Sequence, residues 1–161
     1  MKKRTAIYPG SFDPVTYGHI DIVDRGLRLF DEIIILIAES PEKKGLFSVS
    51  EKREMLSQVF KKEKCVRIDH WDGLLMAYAK KNAADAILRG LRAVSDFEYE
   101  FQMASMNKRL CPEIDTIFMM TSENYSFVSS RLVREVAGLG GDLKDIVPAE
   151  VEKRLNRKFG K

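Results

Sequence analysis

Residues 9–19 read PGSFDPVTYGH and join two segments of different character. Before them, Thr5 to Tyr8 is short and rich in β-branched and aromatic residues, as strands often are. After them, apolar residues recur at the spacing of one helix face, namely Ile20, Val23, Leu27 and Phe30. The glycines and prolines within the stretch indicate a turn. We therefore predict a strand, a loop and a helix in succession.

The same alternation of strand and helix patterns continues along the chain. Ile33 to Ala38 is continuously apolar, as expected for a parallel strand covered on both faces. Three weaker strand candidates follow at Val66 to His70, Ala86 to Leu88 and Thr116 to Met120. Helical patterns separate them, without a repeat or a linker. The sequence predicts one α/β domain over residues 1–161, with a doubly wound, five-stranded parallel sheet.

Two capping patterns and a proline mark predicted helix boundaries. Ser48 with Glu51, and Ser95 with Glu98, each place a hydroxyl three residues before a carboxylate. In such a capping box, the two side chains bond free amides at the start of a helix. We expect helices to begin at these serines, and the second helix to end before Pro112.

Composition and charge argue against several classes of protein. The 161 residues are 45% hydrophobic and 32% charged, with a net charge of +3, which is typical of a globular domain rather than a nucleic-acid binder. The longest aliphatic run, Ile33 to Ala38, is far shorter than the roughly 20 residues of a membrane span. The basic residues 1–4 precede no long apolar stretch, so we expect no secretory signal. Cys65 and Cys111 lack metal-site spacing, and we expect reduced thiols.

The loop at residues 9–19 lacks the two commonest phosphate-binding spacings. It contains neither G-x-G-x-x-G nor a closing G-K-[ST], which disfavours a dinucleotide dehydrogenase and a P-loop kinase. Gly10 and Gly18 nevertheless allow a ligand to approach the backbone closely. Thr16 and His19 lie at the predicted helix start, where free amides and the helix dipole favour anions. A lone histidine is more often structural, but this grouping favours a phosphate contact by His19.

Basic residues follow two of the other predicted strands. Lys43 and Lys44 come after the second strand, in a solvated turn or with one lysine on the ligand side as a point charge for a phosphate. Arg89 and Arg92 come after the fourth, and their planar forks suit phosphates. They could instead form a surface pair with Glu98 and Glu100. A further alternative is that Glu100 accepts a hydrogen bond from a ribose hydroxyl.

The remaining candidates carry hydroxyl and apolar groups. Ser129 and Ser130 lie at a predicted helix start, which indicates either ordinary capping or a second amide-lined anion site. Tyr125 and Phe127 could pack on an adenine or on the core. Leu75 lies in an apolar helix opening that could floor a pocket for an extended amide substrate, or simply join the core.

Taken together, these segments closely resemble the phosphopantetheine adenylyltransferases. These enzymes belong to the nucleotidyltransferase superfamily, which carries a (Thr/His)-x-Gly-His motif. The resemblance covers about residues 4–150 and includes the segments 8–14, 16–21, 40–44, 89–93, 96–100, 106–107 and 126–130. The first motif alone would indicate only the superfamily. The arginine motif at 89–93, running into the DFEYE stretch at 96–100, is what indicates the specific family.

The resemblance implies an activity and its setting. Members transfer AMP from ATP to 4′-phosphopantetheine, with magnesium bound to the ATP, and release dephospho-coenzyme A and pyrophosphate. This is the penultimate step of coenzyme A biosynthesis. The implied fold is Rossmann-like, the location cytoplasmic and the assembly a homohexamer. Coenzyme A would be a feedback ligand, and neither nucleic acid nor membrane would be a partner.

The resemblance also implies roles for individual residues. His19 would be catalytic, as the group that stabilises the transition state on the α-phosphate. Ser11, Lys43, Leu75 and Arg89 would bind phosphopantetheine. The residues implied for ATP are His19 with Ser11, Phe12, Gly90, Leu91, Arg92, Glu100, Tyr125, Ser126, Phe127, Val128, Ser129, Ser130 and Arg131. No protein metal ligand is implied. Arg131 departs from the family, since a third serine is expected there.

Two other functions fit parts of the sequence. One is a sister nucleotidyltransferase that uses nicotinamide mononucleotide or a small alcohol phosphate, although the block from Arg89 to Glu100 favours phosphopantetheine. The other is a non-catalytic nucleotide- or RNA-binding module, because the same motif type occurs in aminoacyl-tRNA synthetases. Such a module would bind nucleic acid with a steep salt dependence and show no turnover.

Overall fold

A computed structural model describes residues 3–38 and 45–160 of the chain. Its strands form one parallel sheet in the order β3-β2-β1-β4-β5. The strands are β1 (Thr5–Gly10), β2 (Glu32–Ala38), β3 (Val66–Trp71), β4 (Ala86–Leu91) and β5 (Asp115–Met120). The predicted doubly wound parallel sheet is confirmed, and each strand contains the residues predicted for it.

Helices connect the strands and cover both faces of the sheet. They are α1 (Tyr17–Gly26), α2 (Val49–Val59), α3 (Leu75–Lys81), α4 (Val94–Leu110), α5 (Ser130–Gly138) and α6 (Ala149–Lys158). A short 3-10 turn, Glu123–Tyr125, lies between β5 and α5. Within the described ranges, no helix combines the length and apolar character needed to cross a membrane.

The composition of the interior strand β2 explains why the sheet is covered on both faces. Ile33, Ile35 and Ile37 pack into a core shared with α1, α2, α5 and α6. Ile34 and Leu36 point to the opposite face and pack with residues of α3 and of the turn after α4. All five side chains are almost completely buried. The continuous apolar run therefore reflects a strand that is covered on both faces.

The strand order reverses at β1, which lies between β2 and β4. β1 pairs with β2 along its whole length, but with β4 only at Ala6 and Ile7. Beyond that point the carboxyl ends of β1 and β4 separate. A cleft therefore opens at the switch in strand order, where ligands bind in sheets of this type.

Of the two predicted capping boxes, one is confirmed and the other is wrong. The Ser48–Glu51 capping box is confirmed, with reciprocal backbone-to-side-chain bonds of 2.8 and 3.3 Å. The predicted Ser95 box is not, because α4 already begins at Val94, after Ala93 as a cap without a side-chain bond. The reason is that β4 runs three residues further than predicted, to Leu91, so the chain turns earlier into α4.

The apolar face predicted for the first helix also extends beyond it. α1 ends at Gly26, whereas Leu27 and Phe30 belong to the turn that follows. Both still pack against the main core. Apolar spacing thus identified residues that face the core, but not the end of the helix.

Candidate active site

Two adjoining cavities lie where β1 and β4 separate. The larger has a volume of about 540 Å³. The smaller, about 260 Å³, has a mostly apolar surface and lies between α3 and α4. The residues that line both cavities are Pro9, Gly10, Arg89, Tyr99 and Glu100. The site therefore offers a polar chamber and an apolar one with a common boundary.

The larger cavity collects most of the predicted site residues. These are Ser11, His19, Arg89, Gly90, Arg92, Glu100, Val128, Ser129, Ser130 and Arg131. Leu75 instead lines the smaller cavity, beside Trp71 and Met103. Lys43 lies outside the described residues. The other predicted residues line neither cavity in the described part of the chain; they are Phe12, Leu91, Tyr125, Ser126 and Phe127.

His19 takes part in the cap of α1. Thr16 is the N-cap residue, and the His19 amide donates to its hydroxyl oxygen at 3.4 Å. In return, the Thr16 amide donates to Nδ1 of His19 at 3.0 Å. The ring thus occupies the place that Glu or Gln takes in an ordinary capping box. Because an amide N–H can only donate, Nδ1 is the unprotonated nitrogen, and the neutral ring carries its proton on Nε2.

Burial and nearby positive charge both keep the His19 imidazole neutral. Burial against Phe12, whose ring centroid lies 5.0 Å away, and then the positive charges of Arg92 and Arg89 lower the pKa of His19 to about 4. A protonated Nδ1 would also point its hydrogen at the Thr16 N–H. At neutral pH, His19 is therefore an uncharged donor through Nε2, on the wall of a cationic cavity.

The buried ring of Phe12 packs against the ring of His19. The Phe12 side chain is only 1% exposed and meets the Tyr8 ring edge-on, with the centroids 5.4 Å apart. Its φ of 45° lies in the left-handed region, which is rare for a bulky residue. The preceding Ser11 is exposed and lines the larger cavity. Any nucleotide contact by Phe12 would therefore involve its main chain, not its ring.

Arg89 stands at the boundary of the two cavities with a defined orientation. Its Nε donates to Glu100 at 2.8 Å, and its Nη2 donates to the other oxygen of that carboxylate. Nη1 donates to the carbonyl oxygen of Pro9 at 2.6 Å. Glu100 is thus the partner among the two glutamates considered from the sequence. A guanidinium has five N–H groups, so two remain for a ligand.

Arg92 is held more loosely than Arg89. It pairs with Asp96 one helical turn later, at 3.2 Å, and its Nη1 lies 3.5 Å from the carbonyl oxygen of Val128. Leu91, in contrast, is buried and uses its carbonyl group to accept two bonds from Thr121. Arg92 therefore links the end of β4 to the loop before α5.

The two predicted serines organise the start of α5. Ser129 is the N-cap residue, and its hydroxyl accepts from the Leu132 amide at 3.1 Å. Ser130 donates its hydroxyl to the carbonyl oxygen of Pro14 at 2.7 Å, which ties α5 to the first loop. Arg131 follows on the helix and is exposed. All three line the larger cavity, together with the first turn of the helix.

Within the part of the chain that the structure describes, the two aromatic residues before α5, Tyr125 and Phe127, line neither cavity. Tyr125 stacks on Tyr17, with the ring centroids 6.2 Å apart, and packs against the core. Phe127 is 61% exposed. Ser126 donates to the carbonyl oxygen of Glu123 at 3.0 Å. Their predicted contacts with ATP remain predictions.

Comparisons with known proteins identify the family. A sequence model of the cytidylyltransferase-like family matches residues 7–136. A phosphopantetheine adenylyltransferase from Caldanaerobacter subterraneus subsp. tengcongensis is 56% identical over 158 residues, which are 98% of this chain and 99% of that protein. The chain belongs to the phosphopantetheine adenylyltransferase family. This is a family of transferases. Of the segments that carried the resemblance, those within the described ranges each contribute at least one residue to the two cavities.

Other members of the family match over a similar extent. The phosphopantetheine adenylyltransferase of Geobacter metallireducens is 48% identical, covering 100% of this chain and 99% of its own. That of Anaeromyxobacter sp. strain K is 51% identical, covering 98% and 96%. Relatives that differ in half of their residues thus align along the whole domain.

A solved structure shares the fold. It is a bifunctional NMN adenylyltransferase/ADP ribose pyrophosphatase of Francisella tularensis, complexed with AMP and a manganese ion. It superposes with a TM-score of 0.71 at 17% identity, covering 99% of this chain. The chain spans about half the length of that protein, at 50%. The likeness supports the nucleotidyltransferase fold assigned to this family member.

Sequence reasoning missed two charged residues that shape the site of this family member. Asp13 is almost completely buried and accepts from the Leu46 and Phe47 amides at 2.8 and 2.9 Å. Arg134 donates to the main-chain carbonyl of Asp13 and lies 3.5 Å from its carboxylate. Arg134 also lines the larger cavity. Its position four residues after Ser130, on the same helix face, was the available signal.

Proposed function

We propose that this chain transfers AMP from ATP to 4′-phosphopantetheine, giving dephospho-coenzyme A and pyrophosphate. This is the penultimate step of coenzyme A biosynthesis. One observation carries the proposal beyond family membership. A neutral His19, with its proton on Nε2, stands in a cationic chamber that adjoins an apolar one. Such a pair of chambers suits a triphosphate on one side and a long, weakly polar arm on the other.

The chemistry requires positioning more than acid–base catalysis. A phosphate oxygen of 4′-phosphopantetheine forms a bond to the α-phosphorus of ATP, while the bond to the bridging oxygen of pyrophosphate breaks. The nucleophile is already an anion, so no proton has to be removed from it. The protein must overcome the repulsion between two anions and stabilise the charge that develops on the α-phosphate.

His19 supplies a hydrogen-bond donor to the charge that develops on the α-phosphate. Its Nε2–H can donate to a non-bridging α-phosphate oxygen, and the bond strengthens as charge builds in the transition state. Because the pKa of His19 is about 4, the ring is uncharged at neutral pH and has one proton, on Nε2, to donate. Its orientation is set in advance by the bond from the Thr16 amide to Nδ1. We therefore assign His19 the role of a hydrogen-bond donor to the charge that develops on the α-phosphate.

We assign the basic side chains of the site to one or the other substrate. Arg92, Arg131 and Arg134 line the larger cavity and would hold the triphosphate. Arg89, at the boundary, would direct its two remaining N–H groups at the phosphate of phosphopantetheine, with Lys43 as a second charge. The remaining lone pairs of Glu100 would be available to a ribose hydroxyl. The charge distribution would thus bring the two phosphates together at His19.

The smaller cavity suits the pantetheine arm. Leu75 and Trp71 form one side and Met103 of α4 the other, and the surface between them is mostly apolar. Because the cavity shares Arg89 with the larger chamber, an arm lying in it would present its terminal phosphate at the boundary. This arrangement supports an extended acceptor over a small alcohol phosphate, which would leave the cavity unfilled.

Magnesium would enter with ATP. Among residues 3–38 and 45–160, no three His, Cys, Asp or Glu side chains are grouped as a metal site. The carboxylates at the cleft, Asp96 and Glu100, are already paired with arginines. Mg²⁺ favours phosphate oxygens and water, so this donor set fits an ion carried by the triphosphate. When bound, magnesium supplies further neutralisation of phosphate charge.

We further propose a homohexamer, located in the cytoplasm, with coenzyme A as a feedback ligand. The apolar side chains that α4 exposes support self-association; they are Phe97, Tyr99, Phe101, Met103, Met106 and Leu110. An exposed apolar surface of this extent is typical of an interface. Coenzyme A contains the product of the reaction, so the same two cavities would accept most of it. Light scattering tests the assembly, and inhibition by added coenzyme A tests the feedback.

Acceptor preference tests the proposed function. Pyrophosphate release from ATP and magnesium is measured with 4′-phosphopantetheine, nicotinamide mononucleotide or glycerol 3-phosphate, and each product is identified by its mass. We expect turnover with 4′-phosphopantetheine alone, giving dephospho-coenzyme A. Turnover with another acceptor would retain the role of His19 and contradict the assignment of the smaller cavity. No turnover by folded protein that binds ATP would contradict the proposal as a whole.

A further inference from the structure

Asp21 of α1 fastens the loop that follows β5. Its Oδ1 accepts from the Ser122 hydroxyl at 2.7 Å, and its Oδ2 accepts from the Ser122 amide at 3.2 Å. Arg25, one turn later, donates to Oδ2 at 3.0 Å and to the carbonyl oxygen of Met120 at 2.7 Å. Asp21 and Ser122 are 101 positions apart in sequence. Two residues of α1 thus hold the end of β5 and the first part of the loop.

Hydrogen bonds continue from Ser122 to the larger cavity. The Ser122 carbonyl accepts from the Tyr125 amide at 2.9 Å, and the Tyr125 carbonyl accepts from the Val128 amide at 3.0 Å. The Val128 carbonyl lies 3.5 Å from Nη1 of Arg92. The next residue, Ser129, is the cap of α5. Each bond restricts the next residue, so the position of Ser122 influences the wall of the larger cavity.

A second contact brings the same two segments together. A Cβ atom on Gly18 would lie 3.5 Å from the Cβ of Tyr125, so the loop packs closely on the start of α1. Tyr17 stacks on Tyr125 at the same place. The start of α1, which carries His19, and residues 121–130 therefore form one packed unit. Asp21 provides its polar attachment.

We propose that Asp21 is a positioning residue for ATP, holding residues 121–130 against α1 so that Arg92 and the start of α5 face the triphosphate. This inference rests on the proposed function, since it assigns ATP to the larger cavity. Asp21 itself does not line either cavity among the described residues. Its effect on the reaction would therefore be indirect, through Ser122 and the loop.

The charge of Asp21 suits this role. Partial burial by itself would raise the pKa of Asp21, but the bonds from Ser122 and Arg25 outweigh it and hold the pKa below its usual value. The side chain is thus an anion that can accept from three N–H or O–H groups at once. An asparagine in its place would present an amide N–H₂ to donors that require an acceptor.

The expected effect is confined to one substrate. Thr121, Val128, Ser129 and Ser130 line the larger cavity, whereas no described residue from 121 to 130 lines the smaller one. If the wall of the larger cavity is less well ordered, the enzyme binds ATP more weakly, and by the same amount in the ground state and the transition state. Such uniform binding loss raises KM while leaving kcat nearly unchanged. We expect Kd and KM for ATP to rise about tenfold, which corresponds to about 1.4 kcal/mol.

The test compares Asp21→Asn and Ser122→Ala with a matched control, Asp24→Asn. Asp24 lies on the same helix and is exposed, and its side chain makes no hydrogen bond within the described residues. Ser122→Thr keeps the hydroxyl and should retain wild-type behaviour. Calorimetric titration with magnesium and ATP gives Kd, steady-state rates give kcat and both KM values, and thermal unfolding reports the folded state.

The inference predicts a selective rise in Kd and KM for ATP in Asp21→Asn and Ser122→Ala. KM for 4′-phosphopantetheine should change less than twofold, and Asp24→Asn and Ser122→Thr should match the wild type. A lower melting temperature with unchanged ATP binding would overturn it, as would equal losses for both substrates. If Asp21→Asn does not fold, Ser122→Ala decides. Failure of the wild type to use 4′-phosphopantetheine would instead contradict the proposed function, while Kd for ATP would still test Asp21.

Discussion

His19→Gln and His19→Ala separate the two roles that the structure gives this side chain. Glutamine commonly closes a capping box three residues after the N-cap. Its amide oxygen can therefore accept from the Thr16 N–H in place of Nδ1. Alanine removes both the acceptor and the ring. The pair of variants thus distinguishes the stability of the α1 cap from the chemistry at Nε2.

The two effects have different magnitudes. Loss of one preorganised transition-state donor lowers kcat by about 10²–10³, or about 2.7–4 kcal/mol. Loss of one backbone cap bond costs about 0.5–1.5 kcal/mol of folding stability. For a chain of this length, each kcal/mol shifts Tm by about 2–4 °C. We expect both variants to lose kcat to this extent, and only His19→Ala to show a lower Tm.

Pyrophosphate release at saturating ATP and 4′-phosphopantetheine measures kcat, and calorimetry measures Tm on the same preparations. The reasoning is refuted if folded His19→Ala keeps kcat within tenfold of the wild type. It is also refuted if His19→Gln recovers both kcat and Tm, because the cap and not the imidazole would then be what the reaction needs. Equal Tm values for the two variants would contradict the capping role.

Four further predictions follow from the site. Because His19 has a pKa of about 4 when folded and about 6.5 when unfolded, the unfolded state binds more protons between these values. Wild-type Tm should therefore fall as pH decreases from about 6.5 to about 4, by more than in His19→Gln, and an equal fall would contradict the neutral ring. Arg89→Lys cannot reproduce the forked bond to Glu100 and should raise KM for 4′-phosphopantetheine about 10–100-fold in steady-state assays, whereas an unchanged KM would exclude that contact. Lys43→Ala should likewise weaken the binding of 4′-phosphopantetheine, and an equal loss of ATP affinity would argue against assigning Lys43 to that substrate. Asp13→Asn turns an amide toward the Leu46 and Phe47 N–H groups and should cost about 1–3 kcal/mol in urea unfolding, a figure that an unchanged midpoint would contradict.

Local sequence signals predicted the elements well. The alternation of apolar runs and helical spacing was sufficient to predict a parallel, doubly wound sheet, because the buried strand β2 shows its burial directly in its composition. The loop at residues 9–19 indicated a helix start beside a ligand. It did not indicate that His19 itself closes the cap, since Glu or Gln is the usual signal there.

Contacts between distant segments were beyond such signals. Asp13 and Arg134 are 121 positions apart, and Asp21 and Ser122 are 101 apart. Nothing in local spacing pairs them. The ring of Phe12 is buried in the core, and its predicted contact with the nucleotide stays a prediction. The topology, and not the local pattern, decides which distant polar groups meet.

The most direct test of the account follows the α-phosphate itself. The enzyme is mixed with magnesium, 4′-phosphopantetheine and ATP labelled with ³²P at the α-position, and the labelled products are separated. We predict that the label moves into dephospho-coenzyme A in a one-to-one ratio with the pyrophosphate released. Label recovered in ADP would contradict the account, because the attack would then have occurred at another phosphorus. Label that remains in ATP, with folded protein and both substrates bound, would contradict it as well.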